Sequence, residues 1–292
     1  MPRTSFEALL EAGAHFGHLK RKWNPNIAPY VFGEKNGIHI IDLNKTLAQL
    51  EDAASALKQI AKSGRTVLFV ATKKQAKHII HEKIKEINMP CVTERWTGGM
   101  LTNFATIRRS VRKMSDMNKM VTDGTLDTLS KKEKLQLSRQ RDKLEHQLGT
   151  IANMTRLPAA VFVVDISKEH IAISEARKLN IPTFAIVDTN SDPNQVDFAI
   201  PANDDSSTSI RIIVDTLVQA IKEGLEERKE AQVMNKLPED KKEEIVEETE
   251  EEGVEASADE DSSADATADV DTDKGPKGKK HFPKKPFNKV TK

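Results

Sequence analysis

Val67-Leu68-Phe69-Val70 is the apolar run that decides the fold of this 292-residue chain. A run without polar interruption is typical of a strand that is buried on both faces of a parallel sheet. After it, apolar residues recur every three or four positions, which indicates an amphipathic helix. Strand patterns follow at 91–92, 160–164, 184–187 and 198–200, with helical patterns at 168–179 and 207–228. Five strands separated by helices predict an α/β fold with a five-stranded, doubly wound parallel sheet.

A smaller antiparallel element precedes this alternation. Residues 30–41 predict two short strands around Asn36-Gly37, a turn signal typical of β-hairpins. Asp42 is placed to cap a helix over 43–62, whose apolar residues share one face. We assign 1–102 and 151–229 to one α/β domain.

Residues 103–150 interrupt the α/β alternation. Two helical patterns, at 104–121 and 131–149, are joined by the turn-forming Thr122-Asp123-Gly124-Thr125. Each pattern carries apolar residues at heptad spacing, and two such stripes joined by a short turn predict an antiparallel coiled-coil hairpin. We therefore interpret 103–150 as an insertion into the α/β domain.

Charge is segregated along the chain, although the net charge is zero. Residues 1–238 hold 35 Lys+Arg and 28 Asp+Glu, a net charge of +7. Residues 239–273 carry −15, and residues 274–292 carry +8. Because apolar periodicity stops near residue 230, we predict that 230–292 is a disordered tail with an acidic and then a basic part. The basic body favours a nucleic-acid partner.

Location is indicated by the absence of two patterns. The first ten residues lack the apolar core of a secretory signal, and the longest apolar run, 159–164, is far shorter than the roughly 20 residues of a membrane span. Cys91 is the single cysteine, so an intramolecular disulfide is excluded. We expect a cytoplasmic protein with no membrane partner.

Arg95-Trp96-Thr97-Gly98-Gly99-Met100-Leu101-Thr102-Asn103 is the segment with the clearest functional chemistry. Two glycines permit a sharp turn between a strand and a helix, and the N–H groups that open the helix are predicted to be free to meet an anion. A plain turn and a nucleotide-binding loop are the alternatives, although both phosphate-loop fingerprints are absent. Trp96 is either a stacking surface or a core residue.

Basic and aromatic residues near this loop complete the predicted RNA-binding site. Cations at the start of a helix oppose its dipole, which favours an anionic partner for those that follow the first core strand. The predicted RNA-binding residues are Lys20, Arg21, Lys22, Trp23, Asn24, Lys73, Lys74, Arg95, Trp96, Thr97, Gly98, Gly99, Asn103, Arg108, Arg109 and Arg112.

Acidic residues near the strand ends are the only candidate for catalysis. Asp165, Asp188, Asp192, Asp204 and Asp205 are expected near the carboxyl edge of the sheet, where Mg²⁺-dependent phosphoryl transfer would need them. Helix caps and loop turns explain the same residues more simply. The histidines show no metal-ligand motif, and no nucleophile elbow is present. We predict no catalytic residue, no metal and no cofactor.

Several motifs stand in a fixed order between about residues 5 and 228: His15-Phe16-Gly17-His18, Trp23-Asn24-Pro25, Ala28-Pro29-Tyr30-Val31-Phe32-Gly33, Asn36-Gly37-Ile38-His39-Ile40-Ile41-Asp42-Leu43, Arg95-Trp96, Gly98-Gly99-Met100-Leu101-Thr102-Asn103, Phe184-Ala185-Ile186-Val187-Asp188-Thr189-Asn190 and Ile200-Pro201-Ala202-Asn203-Asp204-Asp205. Together they resemble bacterial small-subunit ribosomal protein two. The chain departs from the family pattern at Thr97, where an apolar residue is usual, and at Lys20 and Asn26.

The resemblance implies a flavodoxin-like strand order and a protruding helical hairpin. It implies a structural constituent of the small ribosomal subunit that binds small-subunit ribosomal RNA during translation. The implied partners include other ribosomal proteins, among them the large protein that recruits messenger RNA. The alternative is a nucleotide- or sugar-phosphate-binding α/β enzyme, which the missing fingerprints disfavour.

Overall fold

The computed structural model describes residues 3–123 and 130–236. In chain order the elements are α1 (Phe6–Glu11), β1 (Phe16–Leu19), β2 (Val31–Lys35), β3 (Ile38–Ile41), α2 (Leu43–Lys62), β4 (Val67–Val70), α3 (Lys74–Glu86), β5 (Cys91–Val92), α4 (Phe104–Thr122), α5 (Lys131–Leu148), β6 (Ala160–Val164), α6 (His170–Lys178), β7 (Thr183–Val187), β8 (Phe198–Pro201) and α7 (Ser207–Lys236). The end of the predicted 122–125 turn and the predicted tail beyond residue 236 lie outside the described residues.

The five predicted core strands form one parallel sheet in the order β5-β4-β6-β7-β8. Counted along the chain within this sheet, the order is 2-1-3-4-5, which is the flavodoxin-like order. The predicted α/β class, the five-stranded parallel sheet and its strand order are therefore confirmed. Because all five strands are parallel, the loops that follow them meet at one carboxyl edge.

Helices cover both faces of the parallel sheet. On one face, α2, α3 and α7 pack against Phe69 and Phe162, whose ring centroids are 5.4 Å apart. On the other face, α6 and the roots of α4 and α5 pack against Leu68 and Val70. Successive residues of β4 point to opposite faces, and both faces are buried, which explains why the strand is apolar throughout.

The N-terminal sheet has three strands rather than the two that were predicted. β2 and β3 form the predicted hairpin, in which Asn36 and Gly37 have φ angles of 55° and 75°. The unpredicted strand is β1, which pairs antiparallel with β3. Asp42 caps α2 as expected, since its side chain accepts a hydrogen bond from the Asn44 N–H at 3.1 Å.

Helices α4 and α5 occupy the predicted insertion. Met117 of α4 and Leu137 of α5 line one small space, so the two helices lie side by side there. At their roots, Ile107 and Leu148 are buried in the core of the sheet domain. Coiled-coil packing along the pair stays a prediction.

Helix α7 is longer than the sequence pattern indicated. It was expected to end at residue 228 and the tail to begin at 230, whereas α7 continues to Lys236. Residues 229–236 consist largely of good helix formers, which extend a helix without an apolar face. Across residues 3–123 and 130–236, no helix combines the length and the hydropathy that a membrane crossing requires.

Gly224 sets the distance between α2 and α7. A Cβ at this position would lie 2.4 Å from the Lys58 carbonyl oxygen and 3.1 Å from Cβ of Ala61. The first neighbour is backbone, which is unable to rotate away. The close packing of these two helices therefore requires glycine.

We predict that Gly224→Ala lowers the free energy of unfolding by about 1–3 kcal/mol, because overpacking outweighs the gain in helix propensity. Urea denaturation measures this difference. Gly33→Ala is the matched control, since a Cβ there has no neighbour within 4 Å. Equal stability of the two variants would contradict the close helix contact.

Candidate nucleic-acid interface

The loop between β5 and α4 is organised by one buried carboxylate, that of Glu175 in α6. Its Oε1 accepts hydrogen bonds from Nε1 of Trp96 at 3.1 Å and from the Gly99 N–H at 2.7 Å. Its Oε2 accepts from the Leu101 N–H at 3.0 Å and from both the N–H and the hydroxyl of Thr102 at 3.1 Å. Five donors therefore converge on one side chain that is 6% exposed.

This arrangement limits which N–H groups can meet an external anion. The prediction concerned the groups that open α4 at Phe104, whereas Glu175 binds groups of the loop before that helix. The groups of Gly99, Leu101 and Thr102 already bind an internal anion. Burial by itself would raise the pKa of Glu175, but hydrogen bonds from Thr102, Gly99, Leu101 and Trp96 outweigh burial and hold the pKa below its ordinary value. The carboxylate is thus ionised and fixes the loop conformation.

Trp96 belongs to the core rather than to an exposed stacking surface. Its ring is buried and packs with Met100 and Leu101 in the cluster beneath α6. Of the two alternatives for this residue, the structure shows the core position. Trp23, in contrast, is 37% exposed, and its ring centroid lies 5.2 Å from that of His39.

The two loop glycines have different roles. Gly99 has a φ of +85°, and a Cβ there would meet Cβ of Asn103 at 3.2 Å. Gly98 is exposed, and a Cβ there would have no neighbour within 4 Å. Thr97 and Asn103 are exposed beside them. The turn therefore requires glycine at Gly99 and leaves Gly98 open to an approaching partner.

Six of the predicted cations are exposed and, within the described residues, have no carboxylate within salt-bridge distance. They lie in the turn after β1, at the start of α3, in the loop after β5 and on α4. These residues are Arg21, Lys22, Lys74, Arg95, Arg109 and Arg112. Lys74 and Arg95 directly follow the carboxyl ends of β4 and β5, whereas Arg21 and Lys22 follow β1, and Arg109 and Arg112 lie on α4.

Three other predicted cations already have partners within the protein. Lys73, 12% exposed, contacts Asp204 at 2.8 Å and Asp205 at 2.7 Å. Burial lowers the pKa of Lys73, yet the hydrogen bonds to these two carboxylates outweigh it and raise the pKa. Lys20 pairs with Glu34 at 2.7 Å, and Arg108 donates to the Thr155 carbonyl at 2.5 Å. The anionic partners that Lys73 has in the structure are therefore carboxylates of the protein itself.

Asn24 has a local structural role. Its Oδ1 accepts from the Asn26 N–H at 3.0 Å, and its own N–H donates to the Thr189 carbonyl at 2.9 Å. The bond to Thr189 connects the segment just after the basic turn Lys20–Lys22 to the loop after β7.

Four of the five strand-end aspartates converge as expected, around Lys73 and His18. Asp165 lies 3.5 Å from the Lys73 ammonium, and Asp188 lies 3.0 Å from Nδ1 of His18. Asp192 stands apart, because its side chain caps a turn by accepting from the Asn194 N–H at 3.0 Å.

Electrostatics in this group follow from burial and pairing. Burial, reinforced by the charges of Asp188 and Asp165, raises the pKa of Asp204. The hydrogen bond to Asp188 raises the pKa of His18, and the hydrogen bond to Lys73 lowers the pKa of Asp205. The group is bound together by internal ion pairs.

Two residues of this region were not predicted. Glu175 stands on the buried face of α6 beside Ile173 and Ala176, and a charge among inward-facing residues was the available signal. Lys168 is exposed and lines one groove with Arg95, while its ammonium donates to the Thr72 carbonyl at 2.9 Å. Lys168 follows β6, as Lys74 follows β4, and so lies at the same carboxyl edge of the sheet.

Comparison with known proteins identifies the family. The model of the family described as ribosomal protein S2 matches residues 9–224. This chain belongs to the ribosomal protein S2 family. The family is one of structural ribosomal proteins and not of enzymes.

Relatives of this family cover most of the chain. Small ribosomal subunit protein uS2 of Phocaeicola vulgatus is 64% identical over 233 residues, which are 80% of this chain and 84% of the relative. The protein of the same name from Bacteroides thetaiotaomicron is 63% identical over equal shares. That of Porphyromonas gingivalis is 63% identical over 78% of this chain and 82% of the relative.

We predict that Glu175→Gln lowers the free energy of unfolding at pH 7 by about 2–3 kcal/mol, because an amide presents donors to N–H groups that need an acceptor. The lowered pKa means that this stabilisation is present above the ordinary value of 4.5 and is lost as pH falls through the folded-state pKa. The difference between the variant and the unaltered chain should therefore shrink below pH 4.5. Urea denaturation over a pH series, with the exposed Glu226→Gln as control, tests this. A pH-independent difference would refute it.

Gly99→Ala should cost about 1–2 kcal/mol of unfolding free energy, because alanine disfavours a positive φ. Gly98→Ala should leave stability almost unchanged, since the added methyl group enters open space. Thermal and urea denaturation of the two single variants measure the contrast. Equal losses at both positions would show that the turn is built differently.

Proposed function

We propose that this chain binds small-subunit ribosomal RNA through the carboxyl edge of its parallel sheet, as a structural constituent of the small ribosomal subunit. The relatives bear the name of a small ribosomal subunit protein. The RNA surface that we propose centres on the exposed cations Arg21, Lys22, Lys74, Arg95, Arg109 and Arg112, with Lys168 beside Arg95.

The observation that carries the proposal is that some of the predicted cations have a carboxylate partner within the protein and others do not. Lys20 and Lys73 have internal carboxylate partners, whereas Arg95, Arg109 and Lys74 have none among the described residues. Arg109 and Arg112 are three residues apart on α4 and therefore share a face. Exposed cations of this kind suit phosphate groups, which supply most of the affinity in nucleic-acid complexes.

The loop geometry supports recognition without rearrangement. Glu175 fixes the backbone of Gly99 and Leu101, so Arg95 and Thr97 project from a loop that is ordered before the partner arrives. A preordered surface loses less conformational entropy on binding. Gly98 permits close approach of an RNA strand, because no side chain stands over it.

An enzymatic function is disfavoured by the same geometry. In open α/β sheets, small ligands bind outside the carboxyl ends of the strands. Here Glu175 occupies three loop N–H groups, and Lys73 joins Asp165, Asp204 and Asp205. These groups are therefore not available to hold the phosphate of a nucleotide or a sugar phosphate.

We further propose that 103–150 is a coiled-coil insertion between two parts of one α/β domain, 1–102 and the segment from 151 to the end of α7 at Lys236, and that a charged tail follows. Val121 and Leu135 are exposed apolar residues on the two insertion helices, which supports docking to a neighbouring protein. Other small-subunit ribosomal proteins, including the large protein that recruits messenger RNA, are the proposed partners. The proposed location is the cytoplasm, with the ribosomes.

The RNA surface is tested with two charge-matched double variants. Lys74→Gln with Arg95→Gln removes two exposed cations that follow β4 and β5 at the carboxyl edge. Arg177→Gln with Lys178→Gln removes two exposed cations at the end of α6, near the opposite edge. Binding to small subunits prepared without this protein is measured at several salt concentrations.

The edge variant should bind more weakly. The slope of log affinity against log salt should also become shallower by about one to two, because fewer phosphate contacts release fewer counterions on binding. The control variant should behave as the unaltered chain does. Equal losses in the two variants would sink the assignment of this edge.

A further inference from the structure

Three side chains with metal-binding atoms meet where the N-terminal sheet contacts the parallel sheet. His18 comes from β1, Asp188 follows β7, and Asp204 follows β8. One donor atom from each lies within 4.8 Å of the other two. The three residues are distant in sequence, so the fold rather than a local motif brings them together.

Asp204 has an unused oxygen within this group. Its side chain is 0% exposed, and Oδ1 contacts the Lys73 ammonium at 2.8 Å. The other oxygen, Oδ2, is buried without a hydrogen-bond partner. Buried carboxylate oxygens almost always have a partner, so this atom points to a ligand that is absent from the protein itself.

The contacts divide the atoms of the group into two sets. Lys73 contacts Oδ1 of Asp204 and Oδ1 of Asp205. His18 contacts Oδ2 of Asp188 through Nδ1 at 3.0 Å, and Oδ2 of Asp205 through Nε2 at 3.4 Å. Lys73 therefore binds neither Oδ2 of Asp204 nor the contacting atoms Oδ2 of Asp188 and Nδ1 of His18. Oδ2 of Asp188 also accepts from the Asp204 N–H at 3.4 Å.

Asp205 stands where an outer carboxylate stabilises a metal-bound histidine. Metal-ligating imidazoles usually donate their second N–H to a carboxylate, which fixes the ring orientation and makes the ligating nitrogen more basic. Nε2 of His18 lies 3.4 Å from Oδ2 of Asp205 and 3.5 Å from Nδ2 of Asn190, so Asp205 is the carboxylate placed to accept from this nitrogen. Charge agrees, since Lys73 contacts three carboxylates and the fourth, that of Asp188, contacts His18.

We propose that His18, Asp188 and Asp204 bind a divalent transition-metal ion, with zinc as the best match. One imidazole nitrogen and two carboxylate oxygens are zinc ligands, and water would complete four-coordination. Mg²⁺ and Ca²⁺ prefer oxygen ligands throughout. The ion joins β1 to the ends of β7 and β8, and so steadies the adjacent turn that carries Arg21 and Lys22.

The competing explanation is an ion pair without metal, in which a charged His18 bridges Asp188 and Asp205. The two explanations differ in what removal of one ligand does to metal affinity. The test uses the full chain after treatment with a chelator, and Zn²⁺ alone is the added probe. Stoichiometry and affinity are measured by calorimetry, and thermal stability is measured with and without Zn²⁺.

We expect one tight equivalent of Zn²⁺ and a higher melting temperature. His18→Gln and Asp204→Asn should weaken the tight site at least 100-fold, and Asp205→Asn about tenfold, as for an orienting carboxylate. The control variants His78→Gln, Asp192→Asn and His281→Gln should retain the tight Zn²⁺ site. The last of them also tests whether the C-terminal histidine is a zinc ligand. The acidic segment is the same in every variant.

Three results would overturn the proposal: no tight equivalent in the unaltered chain, unchanged affinity in both His18→Gln and Asp204→Asn, or equal binding of Mg²⁺. Where those two variants fail to fold, X-ray absorption of the Zn²⁺-loaded unaltered chain decides. A spectrum that shows one imidazole nitrogen and oxygen ligands around the zinc supports the site. The same spectrum from His281→Gln shows that the imidazole is not that of His281. Oxygen ligands without imidazole refute it.

Discussion

The Glu175 carboxylate is the interaction on which the functional edge depends. It connects α6 to the loop after β5 by accepting from three backbone N–H groups and from the Trp96 indole. The loop conformation, the burial of Trp96 and the entry into α4 all follow from this one buried anion. Hydrogen bonds to a charged acceptor are stronger than neutral ones, so the loop is held firmly although it faces solvent.

Charge at the carboxyl edge is separated into an inner and an outer layer. The inner layer consists of carboxylates compensated by Lys73 and His18. The outer layer consists of cations such as Lys74 and Arg95, which have no carboxylate partner among the described residues. The inner layer holds the N-terminal sheet and the strand ends together, while the outer layer is free for phosphate. This separation explains how an acidic cluster and the proposed RNA surface could share one edge.

The parallel sheet was predictable because each core strand is apolar on both faces. The helix after Asp42 and the Asn36-Gly37 turn were predictable for a similar reason, since the signals are local. β1 was not, because Phe16–Leu19 is a strand only by pairing with β3. The same limit applies at the site. Glu175 and Lys73 obtain their partners from segments that are distant in sequence, and no spacing rule reveals which carboxylate meets which N–H group.

Hydrogen exchange of the loop amides is the most direct test of whether Glu175 fixes the loop conformation. Thr102 is an exposed residue, yet its N–H donates to Glu175 at 3.1 Å. Hydrogen exchange of the free protein, followed residue by residue, separates these two properties. The bound carboxylate predicts that the amides of Gly99, Leu101 and Thr102 exchange slowly and together. Exchange at the rate of an unstructured loop would contradict it.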